Sequence, residues 1–139
     1  TRIAKLPVEQ RVQATLNLVY ADPTCVPPQR VAEAQEDARA LAQKPWVGEA
    51  FQSALRGILS TYFDRGPDAP WRLAERIKVP VLLIYGQQDK LVNQRAAKRA
   101  SRHFLHCRVM VLPHSGHVSQ MEHPEMVERA WRHLIEPYA

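Results

Sequence analysis

Five consecutive apolar residues, Val81-Leu82-Leu83-Ile84-Tyr85, stand between Pro80 and Gly86. Such a run is too short for a helix and has the length of a strand covered on both faces. A second compact run, Arg108 to Leu112, follows about twenty residues later. Between them, Asn93 to Phe104 carries Arg95, Lys98, Arg99 and Arg102 at helical spacing, with Ala96, Ala97 and Ala100 on the other side. Strand, helix and strand joined by a crossover of this length predict two parallel strands. Pro124 opens a last helix, with Met126, Val127, Ala130, Trp131 and Leu134 facing a core. Residues 67–139 therefore read as a β-α-β-α unit of an α/β fold.

The preceding residues, 1–66, are helical by pattern. Val8, Val12, Leu16 and Val19 recur at helical intervals after Pro7. Asp22-Pro23 marks a turn, and Pro27-Pro28 starts a second helix with the stripe Val31, Ala34, Ala38 and Leu41. Pro45 ends it. A third helix presents Phe51, Leu55, Ile58, Leu59 and Tyr62 on one side and stops at Asp64-Arg65-Gly66-Pro67, where Gly66 suits a left-handed residue. A short helix, Pro70 to Ile77, leads into the first strand.

The net charge of +5 raises the question of nucleic acid or acidic membrane. The basic residues form the solvated face of one helix, and no aromatic residues interleave with them as a stacking surface needs. No apolar run is long enough to span a bilayer. Thr1 to Gln10 shows no signal-peptide pattern. Two cysteines, Cys25 and Cys107, make neither a CxxC pair nor a disulfide framework, which points to a reducing compartment and a cytoplasmic location.

In open parallel sheets, reactive groups gather at the carboxyl ends of the strands. Gly86-Gln87-Gln88-Asp89 follows the first strand, and Pro113 to Glu122, with His117, follows the second. Neighbouring parallel strands lie about 4.8 Å apart. Loops from the two can therefore bring a carboxylate to an imidazole. On residues alone, Asp89 is also a turn residue and His117 also an exposed loop histidine. His114 and His123 compete with His117: the first reads as a surface residue, the second as a capping or solvent residue before Pro124. His103 and His106 read as structural. His114, His117, His123 and Glu122 have no recognised metal-ligand spacing, so no metal is expected. Glu122 is placed to tie the loop down through backbone hydrogen bonds. Trp46, Phe51, Tyr62, Phe63 and Trp71 suit either helix packing, the favoured reading, or a substrate pocket.

Val79-Pro80-Val81-Leu82-Leu83-Ile84-Tyr85-Gly86-Gln87-Gln88-Asp89 resembles the strand and G-x-x-D segment of the α/β-hydrolase family. Leu112-Pro113-His114-Ser115-Gly116-His117, followed by Glu122-His123-Pro124-Glu125, resembles its histidine loop. The order, acid before histidine, is also that of the family. The resemblance covers residues 77–136 closely and 1–66 loosely. It implies that Asp89 and His117 are the acid and histidine of a catalytic triad, that 1–66 is a cap or lid, and that 67–139 is the C-terminal part of the hydrolase core. It implies a small, apolar substrate with an ester or related bond, and no cofactor. No G-x-S-x-G elbow, nor its aspartate variant, occurs in the 139 residues. The expectation is thus a C-terminal fragment whose nucleophile belongs to a missing N-terminal part, inactive by itself. The alternative is a non-catalytic ligand-binding or association module on the same fold, able to form homo-oligomers.

Overall fold

The computed structural model describes residues 6–138. Thr1–Lys5, part of the stretch without a signal-peptide pattern, lie outside the described residues. The chain divides into two compact units, one of Thr1–Ala14 with Val26–Leu73, the other of Thr15–Cys25 with Ala74–Ala139.

The first unit is helical. It holds the start of α1 (Val8–Val19), then α2 (Pro28–Ala42), α3 (Val47–Thr61) and most of α4 (Pro70–Glu75). Pro28 occupies the first turn of α2, where its missing N–H costs nothing. Arg39 of α2 pairs with Glu9 of α1 at 2.5 Å, an exposed pair of small energetic consequence.

Two expectations fail here. Phe51, Leu55, Ile58, Leu59 and Tyr62 lie on one side of α3, but all are exposed, Tyr62 at 78%, as are Trp46, Phe63 and Trp71. No residue of α2 or α3 is buried. Val31, Ala34 and Ala38 of α2 are half-buried, but among the described residues no element packs closely along α3, so its large side chains stay uncovered. Gly66 is not left-handed, since no described glycine has a positive φ. The chain turns there because the Asp64 carboxylate accepts the Gly66 N–H at 2.8 Å.

The second unit is built on β1 (Val81–Gly86) and β2 (Cys107–Leu112), which pair in parallel. Between them run α5 (Arg95–Ala100) and a 3₁₀ turn, Ser101–His103. Ala97 and Ala100 of α5 are buried while Arg95, Lys98 and Arg99 are exposed, as the amphipathic pattern predicts. After β2 come a single helical turn, α6 (Ser119–Glu122), inside the segment expected to be all loop, and α7 (Pro124–Ile135). Leu112 is fully buried. Only Leu134 of the expected α7 core face is buried, with Met126 and Trp131 exposed. Nor is β1 covered on both faces: Val81 to Tyr85 are half-buried, and Val109 and Val111 of β2 are exposed. Among the described residues no third strand extends this sheet, so part of its apolar surface has no cover.

The register pairs Val81 with Cys107 and Gly86 with Leu112, so both strands end together. The two following loops therefore leave from one edge. No helix among the described residues is long and apolar enough to cross a membrane.

Candidate active site

Beyond β1 the chain makes a tight turn against the histidine loop. Gln87 N–H donates to Leu112 O at 2.8 Å, and Gln88 N–H donates to Ser115 O at 2.8 Å. A side chain at residue 86 has no room, because a Cβ there would run into the carbonyl oxygens of Gly116 and Ser115. Glycine is required for this close approach rather than for a positive φ. The turn delivers Asp89 with its carboxylate almost enclosed, the side chain 6% exposed. Oδ1 accepts the N–H groups of Leu91 at 2.7 Å and Val92 at 3.0 Å. These bonds fix the carboxylate and leave Oδ2 for another partner.

That partner is His117, whose Nδ1 lies 2.9 Å from Asp89 Oδ2. The histidine loop reaches it through His114, at φ 53°, a left-handed position that histidine adopts more readily than most residues. Gly116 follows, and the His117 N–H donates to Val19 O at 2.7 Å. Ser115 is fully buried, its hydroxyl 2.8 Å from that of Ser119, so it is a packing residue and not an attacking group.

Burial pushes the Asp89 carboxyl up, but it is outweighed by the Val92 N–H, the His117 ring, the Leu91 N–H and the charge on His117. The net effect holds it below the usual carboxylate range. An ionised carboxylate only accepts, so the proton between the two groups belongs to His117 Nδ1. In the neutral ring Nε2 then carries the lone pair. The ring is 40% exposed, and Nε2 has no hydrogen-bond partner among the described residues. Such an imidazole can take a proton from an attacking group and return it to a leaving group.

The other histidines lie apart from this chemistry. His114 is exposed, and its carbonyl lies 3.1 Å from His123 Nε2. His123 precedes α7 without capping it through its side chain, so its role is that loop bond. His103 pairs with Glu75 at 3.0 Å. Among the described residues no cluster of His, Cys, Asp or Glu is arranged to hold a metal ion. Glu122 does tie the loop down, accepting the Gly116 N–H at 2.6 Å. The sequence reading missed Lys90, whose Nζ donates to Asn17 O at 2.6 Å, at the C-terminal end of α1. The one signal was that α1 has no basic residue of its own in its last turn.

Residues 12–124, including Asp89 and His117, match the sequence profile of the alpha/beta hydrolase fold. The chain belongs to the α/β-hydrolase family. A pimeloyl-[acyl-carrier protein] methyl ester esterase from Neisseria meningitidis serogroup C is 30% identical over 64 residues, 46% of this chain and 25% of that protein. A meta-cleavage product hydrolase from Pseudomonas fluorescens IP01 superposes with a TM-score of 0.70 at 17% identity, over 99% of this chain and 48% of that one. A carboxylesterase from Bacillus subtilis superposes with a TM-score of 0.65 at 18% identity, over 96% of this chain and 43% of that one. The two solved structures share the fold. The chain spans less than half the length of each of these three α/β-hydrolase relatives.

Proposed function

We propose that this chain is the C-terminal part of a hydrolase acting on an ester or related bond, with Asp89 as the acid and His117 as the base of a nucleophile-histidine-acid triad. The observation that carries this reading is the 2.9 Å Nδ1 to Oδ2 pairing, with Nε2 left open towards the exposed side of the ring. The nucleophile comes from outside these 139 residues, which contain no G-x-S-x-G or aspartate counterpart. If it is serine, His117 takes its proton during attack and then activates water against the acyl-enzyme. If it is aspartate, His117 activates the water that cleaves the ester intermediate. Carbon–carbon, epoxide and carbon–halogen bonds are open to the same machinery. An ester comes first because two relatives are described as esterases. The substrate is small and apolar, and no step calls for a metal or cofactor.

The test compares hydrolysis of a short p-nitrophenyl ester by the 139-residue chain and by a longer form carrying the upstream strands. Turnover by the longer form alone is expected. Equal rates would overturn the external nucleophile. The exposed Val109 and Val111 favour a second reading, an association module that docks this sheet surface onto further chain or a second copy. Sedimentation showing a monomer at all concentrations, with no binding to the upstream segment, counts against it.

A further inference from the structure

We propose that Glu122 is a positioning residue for His117, working as a two-ended clamp between the histidine loop and the segment after α1. The proposal rests on His117 and Asp89 being base and acid. Glu122 Oε2 accepts the Gly116 N–H at 2.6 Å and lies 3.4 Å from the Ser115 hydroxyl, while Oε1 accepts the Ala21 N–H at 2.7 Å. One residue after Gly116 and two before Ala21, the His117 N–H donates to Val19 O at 2.7 Å. Residues 19–21 and 115–117 are thus laced together by the carboxylate and by one main-chain bond. Gly116 makes this approach possible, since a Cβ there would stand 2.5 Å from Val19 O and 2.6 Å from Ala21 N. The acid loop grips the same segment, through Lys90 Nζ on Asn17 O at 2.6 Å and Tyr20 O at 3.5 Å. Both loops are therefore referenced to one short stretch of backbone.

Glu122 touches no reacting atom; its effect passes through the backbone that carries the His117 ring. A ring held by a half-exposed side chain keeps its aim only if that backbone is fixed to within about 0.5 Å. Two N–H donors meeting one ionised carboxylate form charge-assisted bonds, the stronger kind. A glutamine offers only one acceptor atom and sets an NH₂ against the other N–H. An aspartate keeps the charge but is a methylene too short to span both.

The experiment is solvent exchange of the His117 Nδ1 proton and of the backbone amides, followed by NMR on the ¹⁵N-labelled 139-residue chain. Glu122→Gln and Glu122→Asp are compared with wild type and with Asp89→Asn. Expected in both Glu122 variants is exchange of the His117 proton and of the Gly116 and Ala21 amides faster by about tenfold, with β1 and β2 amides unchanged. A His117 proton as protected as in wild type, or one that speeds up only in step with the sheet amides, overturns the positioning role. Asp89→Asn separates the two levels. If it leaves the His117 proton unaffected, the acid–base pairing itself is wrong; if it exposes that proton while the Glu122 variants do not, only the clamp is wrong.

Discussion

Gly86 and Gly116 are small because the chain passes too close to itself at both points, not because their backbone angles demand it. Gly116→Ala is expected to destabilise the chain by about 1–3 kcal/mol, the cost of overpacking against backbone atoms, measured by denaturant unfolding. Asp89 makes a different prediction. Its folded-state pKa is depressed, so its stabilising contribution is complete above the unfolded value of about 3.9 and is lost as pH falls through the folded value. Thermal unfolding of wild type against Asp89→Asn tests this. The stability gap should narrow as pH falls below about 4; a gap that stays the same there contradicts the shift. The pairing of Asp89 with His117 was legible in the sequence because each follows a compact apolar run in a polar loop. Lys90 and residues 19–21 were not, because they are joined through carbonyl and amide groups that every residue carries.

At the scale of elements, the strands, the amphipathic α5 and the proline-opened helices stood out by period and by punctuation. The failures share one cause. Periodicity shows which residues share a face, not what lies opposite that face. The α3 stripe is as regular as that of α5, yet Ala97 is buried and Phe51 is 68% exposed. The energetic consequence is measurable. Phe51→Ser and Ile58→Ser should each change the unfolding free energy of the chain by about 0.5 kcal/mol or less, the usual range for exposed positions. Leu112→Ala, at a fully buried position ending β2, should cost about 2–5 kcal/mol. Comparable losses at all three sites would mean that the α3 face is covered in solution.

Across the whole chain, family membership rests on the profile match over residues 12–124 rather than on composition. An acid loop and a histidine loop leave one edge of a parallel pair in the family's sequence, and the profile match runs through both. The exposed Arg95, Lys98 and Arg99 carry part of the net charge on one solvated helix face, as their spacing indicated. The proposed function has Asp89 and His117 acting together on a proton for a group outside these 139 residues. The most direct measurement is kcat of His117→Ala in a longer form that contains that group. A fall of about 10⁴ or more with KM little changed is predicted; a kcat within about tenfold of wild type would contradict it.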